Sequence, residues 1–329
     1  MRRRLRKAAL GSILFAGALL AVAVAVEAQQ PKKVARIGLL AFASGAESRN
    51  IAPFRDELRK LGYIEGKTIL VDYRSAGGDR NRLRELADEL VRAKVDVIVA
   101  TGNQAIAVAK EVTSTIPIIA LGAGDLIGNG LVNSLARPGG NITGSTRMST
   151  DLAGKRIELL KESITRLSRL GIIVATGQDQ EELKEMDGPA RQLGVKIQPT
   201  NVQGLSEFQG VFASMVKERD DALIIVHSGF TFANRGKLLT LATKHRLPAM
   251  CEDSVWSDAG CLISYGPDVL YLGRRGAYFV DKVLKGAKPA DLPVEQPTKF
   301  EFIVNLKTAK QINLTIPQSV LYRADKIIK

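Results

Sequence analysis

Few side chains in this sequence could act as nucleophiles, bases or metal ligands. There are two histidines and two cysteines in 329 residues. His227 follows a β-branched run at 222–226, so its imidazole would stand at the mouth of a predicted strand. No second histidine or cysteine lies near it at the spacing a zinc site needs, and no metal is expected. Cys251 and Cys261 enclose no histidine and read either as a disulfide or as two buried thiols. The first predicted strand ends Ala41-Phe-Ala-Ser-Gly-Ala46, which lacks the G-x-G-x-x-G of a dinucleotide fold. Gly122-Ala-Gly124-Asp-Leu-Ile-Gly128 has one residue too many for that motif, and no periodic helix follows it directly. There is no P-loop and no G-x-S-x-G elbow. The sequence therefore predicts no catalytic group and no cofactor.

What remains is a set of small polar residues at the carboxyl ends of predicted strands, where open α/β sheets hold their ligands. These are Ser44, Thr101-Gly102-Asn103, Gly122 to Asp125, Gln178, His227-Ser228 and Glu252-Asp253. Gly102-Asn103 opens a predicted helix whose free N–H groups and positive dipole end suit a carboxylate, with Thr101 adding a hydroxyl. Asp125, Glu252 or Asp253 would suit an ammonium. Taken singly, each is also ordinary loop or capping chemistry.

Alternating strands and helices must position these residues. Val34-Ala-Arg-Ile-Gly-Leu-Leu-Ala41, Thr68-Ile-Leu-Val-Asp-Tyr73, Val95-Asp-Val-Ile-Val-Ala100 and Ile116-Pro-Ile-Ile-Ala-Leu121 are predicted strands with amphipathic helices between them. That alternation predicts βαβ crossovers and a parallel sheet. A Gly-, Asn- and Thr-rich passage at 122–147 interrupts it, and a second series of similar size follows. The fold class predicted is α/β: two doubly wound, Rossmann-like lobes of mainly parallel sheet joined by hinge crossovers. The first lobe is assigned residues 34–146 plus 263–289, the second 147–262 plus 290–329.

The start of the chain carries Arg2, Arg3, Arg4, Arg6 and Lys7, then an apolar run closing on Val26-Glu27-Ala28. This is the layout of a secretory signal peptide over 1–28; a retained membrane anchor is the alternative. The formal charge is +13, of which the leader holds a net +4. The rest is scattered among acidic residues, as in Arg80-Asn-Arg-Leu-Arg-Glu85, without the concentrated basic patch of a nucleic-acid binder. No nucleic acid is expected as a partner.

Several segments resemble the ABC transporter substrate-binding proteins of the tryptophan/tyrosine type. They are Arg55-Asp-Glu-Leu-Arg-Lys-Leu-Gly-Tyr-Ile-Glu-Gly66, Tyr73-Arg-Ser-Ala-Gly-Gly-Asp79, Lys155-Arg-Ile-Glu-Leu-Leu-Lys161, Ile263-Ser-Tyr-Gly266 and Ile303-Val-Asn-Leu-Lys-Thr-Ala309. The most specific is Arg137-Pro-Gly-Gly-Asn-Ile-Thr-Gly144. The chain departs from the family pattern at Leu126-Ile127, Thr165-Arg166 and the two cysteines. The resemblance implies a type I periplasmic-binding fold, a monomer without enzymatic activity, and a small organic solute such as an amino acid or aromatic carboxylate. It also implies a periplasmic location and delivery to an ABC permease in the inner membrane. A sensory module feeding a receptor kinase or chemoreceptor is the alternative role on the same fold. Carried over residue by residue, Ser44, Thr101, Asn103 and Asp125 are the first-lobe contacts implied. Gln178, His227, Glu252 and Tyr265 are those of the second lobe and crossover.

Overall fold

A computed structural model describes residues 34–42, 50–175 and 180–329. The leader, Ser44 and Gln178 lie outside the described residues. Strands β1 (Ala35–Ala41), β2 (Ile69–Ser75), β3 (Val97–Thr101), β4 (Ile118–Ala123) and β5 (Ile142–Thr146) form one sheet. Its order is β2-β1-β3-β4-β5, and every neighbouring pair is parallel. Helices α1 (Ile51–Lys60), α2 (Arg80–Arg92) and α3 (Asn103–Val112) make the crossovers. The apolar spacing seen in the sequence is what buries them. Leu83, Leu86, Ala87 and Leu90 of α2 pack on one face of the sheet, while Ile51, Phe54 and Leu58 of α1 pack on the other. Full burial of each such side chain is worth about 1.5–3 kcal/mol. Asp79 caps α2, accepting from the N–H groups of Asn81 and Arg82 at 2.8 and 3.2 Å.

The second sheet holds β6 (Arg169–Ala175), β7 (Lys196–Val202), β8 (Ala222–Ile225), β9 (Ala249–Cys251), β10 (Ile263–Pro267), β11 (Phe300–Asn305) and β12 (Lys326–Ile328). Its order is β12-β11-β10-β9-β8-β6-β7, and β10 with β11 is the one antiparallel pair among the described strands. Its helices are α4 (Ala153–Ser163), α5 (Gln180–Gln192), α6 (Phe208–Lys217), α7 (Gly229–Ala233), α8 (Arg235–Lys244) and α9 (Ser254–Asp258). After β10 the chain returns to the first sheet as α10 (Val269–Leu284), and it ends on the second lobe with α11 (Leu306–Gln311) and α12 (Gln318–Leu321). No helix among the described residues is long and apolar enough to cross a membrane.

Two details differ from the sequence reading. β5 was expected as part of a loop, because Ile142-Thr-Gly-Ser-Thr146 has one large apolar residue. All five positions are nevertheless buried. Gly144 sits at φ +130° against the backbone of Ala120, where any Cβ would overlap the neighbouring strand. The lobe boundaries also shift. Ile263–Pro267 pairs with β9 and β11 and so belongs to the second sheet, not the first. Val294 is buried in the first-lobe core, and Glu295 bridges to Ser145 of β5.

Three segments thus pass between the lobes, and they run side by side. The Thr146 N–H donates to the Glu295 carbonyl at 2.9 Å, and the Asp268 N–H donates to the Lys299 carbonyl at 3.0 Å. The third passage is hydrogen-bonded to the first at one end and to the second at the other.

Candidate functional site

The carboxyl ends of both sheets face one cavity of about 100 Å³. From the first lobe it is lined by Phe42 after β1, Thr101-Gly102-Asn103 between β3 and α3, and Gly122 and Gly124 at the end of β4. From the second it is lined by His227-Ser228-Gly229, Phe232 and Asp253. Arg147 and Ser149, on the first passage between lobes, close the floor.

Gly102 caps α3 at φ +80°, a conformation glycine adopts without a Cβ penalty, and no side chain caps that helix start. Its first-turn N–H groups have no side-chain acceptor among the described residues, and Gly102, Asn103 and Gln104 line the cavity. Asn103 is fixed by accepting the Gly124 N–H on its Oδ1 at 2.8 Å. Opposite stands a buried charge cluster. Arg147 Nη2 donates to Glu252 Oε2 at 2.5 Å and to Asp253 Oδ2 at 2.8 Å. Arg156 Nη1 donates to Glu182 Oε1 at 2.8 Å and lies 3.6 Å from Glu252 Oε1. Two guanidiniums and three carboxylates leave one surplus negative charge when all are ionised.

Burial works against each of these charges, and the neighbours decide the outcome. For Arg147, the carboxylates of Glu252 and Asp253 outweigh burial and raise its pKa. For Glu252, the guanidiniums of Arg147 and Arg156 outweigh burial and hold the carboxyl below its ordinary range. Asp253 goes the other way. Burial, reinforced by the Glu252 charge, pushes it up despite Arg147. Burial first, and then the charge of Arg147, pushes His227 down to about 3, so its ring is neutral.

Of the residues singled out from the sequence, Thr101, Gly102, Asn103, His227 and Ser228 line the cavity. The Ser228 hydroxyl also serves its own helix, accepting from the Thr231 N–H at 3.1 Å. Three others are placed elsewhere. Asp125 folds back on its own turn, accepting from the Ile127 and Gly128 N–H groups at 3.0 and 2.8 Å, and does not line the cavity. Glu252 lies beneath the cavity floor with 1% of its surface exposed, and the adjacent Asp253 faces the cavity instead. Tyr265 stacks on Phe300, and its carbonyl accepts from Arg156 Nε at 3.0 Å, away from the cavity. Cys251 and Cys261 are joined as a disulfide with Cα atoms 6.5 Å apart. It closes a loop that carries Glu252, Asp253 and Trp256. Arg147 was not foreseen. Its one sequence signal is its place as the last residue of the Gly-rich passage between lobes.

Residues 36–328 match the family described as ABC transporter substrate binding protein. A tyrosine-binding protein of Clostridioides difficile is 26% identical over 264 residues, 79% of this chain and 75% of the relative. An ABC domain from Streptococcus pneumonia, solved in complex with L-Trp, superposes with a TM-score of 0.84 at 26% identity, covering 89% of this chain and all but 1% of that one. A conserved domain protein from Vibrio cholerae gives a TM-score of 0.85 at 24% identity over 90% of this chain and 100% of its own. The two-lobed α/β architecture is that of the type I periplasmic-binding proteins. With the family matched over nearly the whole described chain, this protein belongs to the ABC transporter substrate-binding proteins.

Proposed function

We propose that the protein is a non-catalytic receptor that closes over a single amino acid or a solute of that size and delivers it to an ABC permease. The observation that carries this reading is the arrangement of the cavity. An uncapped helix start faces a carboxylate of the other lobe across a space of about 100 Å³. A zwitterion fits that polarity, with its carboxylate on the N–H groups of α3 beside Thr101 and its ammonium at Asp253. Phe42 and Phe232 supply apolar walls for the remainder. The ligands named for the two 26%-identical relatives, tyrosine and L-Trp, are of this class. Closure follows from differential affinity, because contacts to the second lobe exist only when the cavity is shut. The protein acts outside the inner membrane, exported by its leader with cleavage after Ala28.

Calorimetric titration of refolded protein with the common amino acids tests the reading. A ligand at about 100 times its dissociation constant adds ~2.7 kcal/mol of stability. Binding confined to one chemical class, abolished or weakened at least tenfold by Thr101→Ala, is expected. If no amino acid binds the refolded protein, the reading is wrong. N-terminal sequencing of the exported protein, expected to begin at Gln29, checks the cleavage.

A further inference from the structure

Arg147 has five N–H donors and no acceptor. Both Nη2 hydrogens are used by Glu252 and Asp253. Nε has no partner among the described residues. Among the described residues Nη1 meets one polar atom, His227 Nε2, at 2.8 Å. On the other side of the same ring, Trp256 Nε1 lies 3.2 Å from Nδ1 and can only donate. A neutral imidazole accepts at one nitrogen only. With Nδ1 accepting from Trp256, Nε2 carries the proton. Nη1 and Nη2 lie 2.8 and 3.0 Å from the two nitrogens of that one ring, so the guanidinium rests against the ring and neither group accepts from the other. The Nε2–H is thus left as a donor beside the Arg147 donors. Both Arg147 and the ring line the cavity, with 8% of Arg147 exposed. Unpaired buried donors are costly. One solute oxygen in the cavity, accepting from both Nη1 and Nε2–H, would satisfy them.

We infer that the solute carries a neutral acceptor oxygen, a hydroxyl or an amide carbonyl, apart from its α-carboxylate, and that Arg147 and His227 read it. This rests on the receptor reading above. A neutral oxygen fits better than a second carboxylate, because the charge of Arg147 is already met by two carboxylates. A site that hydrogen-bonds such an oxygen discriminates strongly against the analogue lacking it, since its own polar groups are then left unpaired.

The experiment is a comparison of dissociation constants within matched pairs: L-tyrosine with L-phenylalanine, and L-glutamine with L-norvaline. L-glutamate is the charged control. In each pair that binds, the oxygen-bearing member is expected to bind at least tenfold more tightly, and L-glutamate more weakly than L-glutamine. His227→Phe removes the reading group and is expected to bring the ratio near one. Trp256→Phe, which changes no group that touches the solute, frees the ring to move its proton to Nδ1 and is expected to lower the ratio several-fold. Equal binding within the pairs, or a ratio unchanged in both variants, overturns the inference and leaves the receptor reading standing. Failure of every amino acid to bind overturns both.

Discussion

Gly229 opens α7 in the second lobe, and its Cα packs against the first lobe. A Cβ built there would overlap Gln104 Oε1 and the ring of Phe42. The backbone of Gly229 is not among the positive-φ glycines, so a side chain is opposed by space alone and not by strain. That space exists between lobes, so an added side chain should leave each lobe intact and oppose only their closure. Overpacking costs roughly 1–3 kcal/mol. Gln104 has a flexible tip that can yield, whereas Phe42 is 95% buried and cannot readily do so. Gly229→Ala is therefore placed near the low end and Gly229→Val near the high end. Because ligand affinity includes the free energy of closure, these costs correspond to about a fivefold and a hundredfold loss of affinity. The assay is calorimetric titration with whichever amino acid binds the native protein most tightly, alongside melting of the unliganded protein. Small-angle scattering at a ligand concentration that fills the native protein but not the weakened one should show the Val variant remaining expanded. Affinity of Gly229→Val within twofold of the native protein would refute the closure argument. A drop in unliganded melting temperature as large as the affinity loss would mean that the glycine serves folding instead.

Three further outcomes are expected. Replacing both Cys251 and Cys261 by serine releases a loop with a sequence separation of 10 and should cost ~2.7 kcal/mol by loop-closure entropy, read as a drop of ~5 °C in melting temperature. Solute affinity should fall with it, because that loop holds Asp253 and Trp256. Arg147→Met leaves Asp253 buried without its cation and Glu252 with Arg156 alone, and should destabilise by ~3–5 kcal/mol at pH 7. Arg147 helps hold the pKa of Glu252 down, so the loss should shrink toward pH 5, where the freed carboxyls take up protons. Asp220 is raised to about 6, chiefly by burial, with Arg169 only 3.8 Å away in partial compensation. Its folded pKa lies above its unfolded one, so its ionisation costs stability as pH rises from 4 to 6. Asp220→Asn should therefore add about 1 kcal/mol above pH 6, after allowance for solvent screening, and nothing below pH 4; thermal melts across that range decide it.

The fold was largely legible because burial on both faces writes itself into strands such as Val97–Thr101 as continuous apolar runs, and into helices such as α2 as a spaced apolar stripe. β5 escaped because a strand can be buried through small residues against a neighbouring backbone, which leaves no hydrophobic signal. The assignment of Ile263–Pro267 failed for a different reason. Its antiparallel partner β11 lies beyond the whole of α10, and nothing local to the segment specifies that pairing. The first-lobe half of the cavity was readable at Thr101-Gly102-Asn103, since a strand end, a glycine and a helix start adjoin in sequence. The second-lobe half was not. Glu252 and Asp253 are neighbours with the same chemistry, and which one faces the cavity depends on Arg147, more than a hundred residues earlier. Asp125 was misplaced because an aspartate before a glycine-rich turn satisfies its own backbone as readily as it meets a solute.

Three passages between the lobes, laced together by main-chain hydrogen bonds, act like three pins along one door edge. A single tether would leave a lobe free to swing, twist and slide, and a solute would have to select the shut arrangement from a broad range of open ones. Pins in a row remove the twist and the slide and leave one angle. Little orientational entropy is then lost on shutting, so most of what the solute gains from the second lobe remains as affinity. The two faces that come together are also always the same two.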